Sequence, residues 1–273
     1  MPYITTADKT QLYVKDWGSG KPVILIHGWP LSADSWDDQA LALAEAGFRV
    51  IAYDRRGFGR SSQPWTGYDY DNLADDLATV IEQTGAQGAT LVGFSMGGGE
   101  VARYMSRHAG KGVVKAALIA SVLPYRLKTG DNPAGTEQAA FDKTAQALRD
   151  DRARFFSGFF ENFFGVGVLS QPVSDELLDW ARGIAMQASL KATLACQKSF
   201  SSTDFRGDLA AFKVPTLIIH GTDDKIVPIE VSARATAPQI ADATLIEYDG
   251  APHGLFATHK DRLNKDLLDF LRR

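Results

Sequence analysis

Six short apolar runs constrain this chain most: PVILIHG (22–28), FRVIAYD (48–54), GATLVG (88–93), KAALIAS (115–121), VPTLIIHG (214–221) and ATLIEYDG (243–250). A strand with one wet face alternates apolar and polar residues. Continuous apolar runs instead suit parallel strands covered on both faces. Segments of 3.6-residue periodicity lie between several of them. Trp36 to Ala46 and Tyr70 to Gln83 stop at Gly47 and Gly85, and Gly97 to His108 and Thr258 to Leu271 complete the set. This alternation predicts an α/β fold with a mostly parallel, doubly wound sheet and helices on both faces. Residues 2–17 differ, because Tyr3, Thr5, Leu12 and Val14 alternate with polar positions around Ala7-Asp8-Lys9. That pattern predicts an antiparallel hairpin at a sheet edge.

One interval breaks the rhythm. Between Ser121 and Val214 no strand is expected, and a simple crossover needs far fewer residues. Positions 122–205 hold nine of the fifteen Phe, six of them in RFFSGFFENFF (154–164). The expected division is therefore a core of 1–121 and 206–273 with a helical cap, 122–205, inserted over the strand ends. The plainer reading of these Phe is ordinary helix–helix core, and a cap needs that core as well.

Charge excludes one class of partner. Lys plus Arg number 29 against 33 Asp plus Glu, net −4, with no basic run, so nucleic-acid binding has no electrostatic basis. The start, MPYITTADKTQ, carries neither a cationic nor an apolar leader segment, and Val23-Ile24-Leu25-Ile26 is far too short for a bilayer. No signal peptide and no membrane partner are expected. The lone Cys196 gives no internal disulfide and no zinc spacing, and it reads as a helical core thiol rather than a nucleophile. A cytoplasmic protein without metal or cofactor is the expectation.

Ligands of open α/β sheets bind at the carboxyl ends of the strands. Three strand ends carry unusual residues. Gly93-Phe94-Ser95-Met96-Gly97 is a G-x-S-x-G directly after an apolar strand and before a helix, the setting of a nucleophile elbow. The Ser is forced into a positive-φ turn, which asks for Gly two residues away on either side. The following helix aims its N-terminal N–H groups at the site. A strand–turn–helix with a capping Ser is the plain alternative.

Gly250-Ala251-Pro252-His253-Gly254 follows the last strand, where a His reaches the elbow as general base. The other His fit other roles. His108 ends the elbow helix in solvent, and His259 sits exposed on the last helix. His220 closes a strand as a buried, hydrogen-bonded His, and His27 in HGWP supports the oxyanion loop. In Gly221-Thr222-Asp223-Asp224-Lys225-Ile226-Val227-Pro228, Asp224 is the acid that orients the imidazole, and Asp223 is a turn residue. The chain order Ser95, Asp224, His253 is that of α/β-hydrolases. An oxyanion hole needs two backbone donors, assigned to the N–H groups of Met96 and Trp29. Trp29 also reads as a core aromatic. Candidate pocket residues are Pro30, Phe94, Val122, Phe159, Phe163, Phe200, Ile226 and Val227.

HGWP, YDRRGFGRSS (53–62), LVGFSMGGGEVARY (91–104), HGTDDKIVP (220–228) and APHG (251–254) together resemble the cofactor-free bacterial haloperoxidases, or perhydrolases, and their arylesterase relatives. QPWTGYDYDNLADDL (63–77) and SLKATLACQKSF (189–200) are similar to the Pseudomonas-type arylesterase. The resemblance spans nearly the whole chain. It implies an α/β-hydrolase fold with a helical cap, hydrolysis of small carboxylic esters through an acyl-enzyme, and perhydrolysis. The peracid product oxidises halide without haem or metal, so haloperoxidase activity is implied without a cofactor. A γ-lactamase of the same group makes amide hydrolysis the alternative, and homo-oligomers (dimer, trimer or hexamer) are implied too. In that group His-Gly-aromatic-Pro marks the perhydrolase-competent members, and the plain arylesterase has Leu in place of the Pro, here Pro30. One departure stands out: Arg126 falls where a pocket-lining aromatic is expected. A haloalkane dehalogenase would carry Asp at the elbow, where this chain has Ser95. A non-catalytic receptor on the same fold would bind esters without turnover.

Overall fold

The computed structural model describes residues 2–273. Eight strands form one sheet: β1 (Tyr3–Thr5), β2 (Gln11–Gly18), β3 (Pro22–Ile26), β4 (Arg49–Tyr53), β5 (Ala89–Phe94), β6 (Val113–Ile119), β7 (Thr216–Gly221) and β8 (Ala243–Tyr248). Their spatial order is β1-β2-β4-β3-β5-β6-β7-β8. The pairs β1–β2 and β2–β4 are antiparallel, and every pairing from β4 through β8 is parallel. This is the mostly parallel sheet with an N-terminal antiparallel hairpin expected from the two kinds of hydropathy pattern.

The central strands are buried at nearly every position, since helices cover both faces. Helices α1 (Asp37–Glu45), α2 (Tyr70–Thr84) and α3 (Met96–Arg107) follow β3, β4 and β5. Asp69 caps α2 by accepting from the Asn72 N–H, and Gly85 ends it in the left-handed region at φ 64°.

Three α-helices lie between β6 and β7: α4 (Gln138–Phe164), α5 (Asp175–Gln187) and α6 (Leu190–Ser202). Residues 120–137 ahead of them are not helical. That stretch holds isolated bridges, Tyr125 to Asp204 and Leu127 to Thr136. The backbone of α4 leaves helical geometry at Asp151 (φ −157°, ψ 89°), and the Asp151 carboxylate accepts from the Arg154 N–H at 2.9 Å to restart the helix. The second half of α4 carries the six clustered Phe. Phe156, Phe160, Phe163 and Phe164 are buried, and Phe155 and Phe159 are partly buried. The short α7 (Ala233–Thr236) precedes β8, and α8 (Leu255–Thr258) with α9 (Lys260–Arg272) closes the chain. Among the described residues no helix is long and apolar enough to cross a membrane.

Candidate active site

β5 ends at Phe94, and Ser95 follows at φ 52°, ψ −115°. This conformation costs roughly 1–3 kcal/mol for a non-Gly residue and persists only where its surroundings impose it. The surroundings here are tight. A Cβ on Gly93 would lie 2.5 Å from the Gly97 carbonyl oxygen, and one on Gly97 would lie 2.4 Å from that of Ile26. The glycines of the elbow are therefore required by backbone contact. The Ser95 N–H donates to the Ile119 carbonyl at 2.8 Å, which ties the turn to β6.

The loops after β7 and β8 bring the other two residues to Ser95. His253 Nε2 lies 2.9 Å from Ser95 Oγ, and His253 Nδ1 lies 2.6 Å from Asp224 Oδ2. The second Asp224 oxygen, Oδ1, accepts from the N–H groups of Ile226 (2.9 Å) and Val227 (2.7 Å). Both oxygens of the carboxylate are thus fixed. Burial works to raise the Asp224 pKa. The His253 charge, with hydrogen bonds from His220 and His253, outweighs it and holds the carboxyl below the ordinary carboxylate range. Asp223 instead lies exposed, 3.5 Å from Lys225.

His220 is buried and hydrogen-bonded, its Nε2 lying 2.8 Å from the Val227 carbonyl oxygen. The same nitrogen is 3.1 Å from Asp224 Oδ2, so His220 is a second imidazole on the acid. Nothing in the spacing of the sequence marks that contact. His108 meets Asp75 at 2.8 Å and stacks on Tyr104. His259 is half-buried against the Tyr248 ring rather than exposed, because α8 and α9 break at this residue.

The loop after β3 is held from beneath. The Arg55 backbone N–H donates to His27 Nε2 at 2.9 Å, so the ring proton sits on Nδ1, which donates to the Gly28 carbonyl at 2.9 Å. Burial, then the Arg55 charge, keeps His27 far below its usual pKa and therefore neutral. Arg55 also donates to the His27 carbonyl (2.7 Å) and to Glu100 Oε2 (2.8 Å), and Tyr53 donates to Glu100. This buried network orients the peptide leading into Trp29. The Trp29 N–H has no hydrogen-bond partner among the described residues. As the first residue of α3, Met96 has no acceptor for its N–H within the helix. The Trp29 ring is also a core aromatic: it packs on Phe155, Phe156, Phe159 and Phe200, and its Nε1 donates to the Thr193 carbonyl at 3.0 Å.

A cavity of about 540 Å³ opens onto Ser95 and His253. Val122, Phe159, Phe200, Ile226 and Val227 line it, as does the Trp29 side chain. Pro30, Phe94 and Phe163, expected there, do not. Phe94 and Phe163 are buried behind His253, with ring centroids 5.1 and 4.9 Å from the imidazole. They pack on each other and on Phe256, and so brace the imidazole. Pro30 is buried in the loop after β3. The wall also includes residues that hydropathy did not single out: Phe141, Phe155, Asn162, Gln197, Lys225 and Arg126. Only the fold of the 120–164 segment shows which of its many aromatic and polar side chains turn inward. Among the described residues no cluster of three or more His, Cys, Asp or Glu could hold a metal ion.

The model of the α/β hydrolase fold family matches residues 21–260. The chain is 45% identical to a bifunctional esterase/perhydrolase of Acinetobacter calcoaceticus over 279 residues, with all of both chains covered. It is 44% identical to a non-heme chloroperoxidase of Streptomyces lividans, again across both chains. A crystal structure of bromoperoxidase from Bacillus anthracis superposes with a TM-score of 0.95 at 46% identity, covering 99% of each chain. This chain therefore belongs to the α/β hydrolase fold family, in the group that contains the non-heme haloperoxidases and esterase/perhydrolases.

Proposed function

We propose that this protein is a serine esterase for small carboxylic esters that also forms peracids when hydrogen peroxide replaces water. The observation that carries the reading is the unbroken chain of contacts Asp224–His253–Ser95, with Ser95 and His253 lining a largely apolar cavity. His253 Nε2 takes the Ser95 proton as Oγ attacks the ester carbonyl. The N–H groups of Trp29 and Met96 hold the oxyanion, each worth about 2.7–4 kcal/mol of barrier. His253 then protonates the leaving alcohol. Water, deprotonated by the same imidazole, releases the acid from Ser95, and peroxide releases a peracid. Asp224 holds the imidazole with its proton on Nδ1 and stabilises its charged form. The names and high identity of the relatives support both activities, and neither step calls on a metal. The peracid, once free, oxidises halide in solution.

Residues 122–205 act as the cap over this cavity in the proposal, on a core of 1–121 and 206–273. A cytoplasmic setting and assembly into a dimer, trimer or hexamer complete it, supported by the composition and the resemblance. The test is turnover. Purified protein should release p-nitrophenolate catalytically from p-nitrophenyl acetate, and should form peracetic acid from acetate and hydrogen peroxide. Stoichiometric binding without product would instead mark a receptor.

A further inference from the structure

Arg126 is a buried charged side chain of the cavity wall that ester chemistry leaves unused. It is 8% exposed and lies in the cavity wall that also contains Ile226 and Val227. Its Nη2 donates to the Ile226 carbonyl at 2.9 Å. Among the described residues its Nε and Nη1 are buried without any hydrogen-bond partner. A guanidinium carries five donors, and leaving them unpaired away from water is costly. Burial pulls Arg126 down to about 10, opposed by the nearby Asp224 charge. Asp224 does not serve as its partner, because both of its oxygens are engaged by His253, His220 and two backbone N–H groups.

The rest of the wall is mostly uncharged, and its one lysine, Lys225, is exposed and 3.5 Å from Asp223. Among the described residues none of the side chains lining the cavity is acidic. A buried guanidinium with two unpartnered N–H groups, in a wall whose lining side chains include no acid, supplies the charge and the donors that a carboxylate takes.

Resting on the esterase reading above, we propose that Arg126 forms a carboxylate subsite, and that the preferred substrates are esters whose acyl chain ends in a second carboxylate. The acyl side is assigned because the alcohol must leave for solvent before water attacks, whereas the acyl chain stays anchored through both half-reactions. A buried anchor serves the part that stays. The apolar wall of Val122, Phe159 and Phe200 would contact the methylenes between the two ends.

The experiment compares monoethyl glutarate with ethyl pentanoate, which has the same chain length and no charge. Hydrolysis is followed by acid release, in the wild type and in Arg126→Met and Arg126→Lys. The wild type should prefer the anionic ester in kcat/KM by about tenfold or more, as expected for hydrogen bonds to a charged group. Arg126→Met should collapse that ratio, and Arg126→Lys should keep part of it. A second measurement needs no turnover: calorimetric titration of the wild type with glutarate and with pentanoate. Glutarate should bind at least about tenfold more tightly. If neither ester is hydrolysed while glutarate keeps its advantage, the esterase reading fails and the subsite stands. If both esters are hydrolysed equally well by the wild type, the subsite is overturned and the esterase reading stands. If Arg126→Met lowers both esters by one factor, Arg126 merely ties the loop at Ile226, which also overturns the proposal.

Discussion

Asp224 Oδ2 lies 2.6 Å from His253 Nδ1, while Oδ1 of the same carboxylate is held by the N–H groups of Ile226 and Val227. The acid therefore cannot rotate away from the imidazole. Asp224→Asn should lower kcat for p-nitrophenyl acetate by about 10⁴-fold, because the amide favours the wrong tautomer and removes the charge. Asp223→Asn, at an exposed position beside Lys225, should cost less than about tenfold. Steady-state rates of the two variants decide the matter. A reversal of the two effects would mean that Asp223 is the acid.

The same carboxylate gives a pH dependence of stability. A carboxyl held below its unfolded-state pKa contributes stability above that value and loses it as the pH falls toward the folded-state pKa. Asp224 is held below the ordinary range by His253 and His220 despite its burial. Below about pH 4, denaturant midpoints of the wild type should therefore fall more steeply than those of Asp224→Asn. Parallel curves would show that the carboxylate gains nothing on folding.

The loop after β3 depends on a buried ion pair. Glu100 and Arg55 are both almost fully buried, and Arg55 carries the bonds that fix His27. Glu100→Ala leaves a buried guanidinium without its partner, and should cost about 3–5 kcal/mol in urea unfolding. A loss below about 1 kcal/mol would mean that the pair is solvated or dispensable.

Pro30 bears on perhydrolysis. It has no N–H and restricts the residue before it, here Trp29. It is buried but does not line the cavity, so it acts through the Trp29 peptide and not by touching substrate. The proposed effect is that the Trp29 carbonyl accepts a hydrogen bond from peroxide attacking the acyl-enzyme. Pro30→Leu should lower peracetic acid formation more than ester hydrolysis. Equal losses in the two rates would reduce Pro30 to a loop stiffener.

Much of this was legible in the residues. Continuous apolar runs marked every parallel strand, because both faces of those strands are covered, and the alternating start marked the hairpin. That Ser95, Asp224 and His253 come together was legible because each sits just past a strand end in a Gly-containing loop. The cavity wall was legible in part: Val122, Phe159, Phe200, Ile226 and Val227 line it, and Pro30, Phe94 and Phe163 do not. Much of it comes from 120–164 and from α6, where hydropathy shows that a Phe is buried but not which way it faces. Phe163 turns toward His253 from behind, and Phe159, four residues earlier, turns into the cavity. The contact of His220 with Asp224 was hidden for a similar reason, since it depends on how the loop after β7 folds back.

The most direct test of the account is the rate of Ser95→Ala. Hydrolysis of p-nitrophenyl acetate should be measured beside a circular dichroism spectrum of the same sample. The expected result is a folded protein with less than about a thousandth of the wild-type rate. A folded Ser95→Ala variant that hydrolyses the ester at near wild-type rate would contradict it.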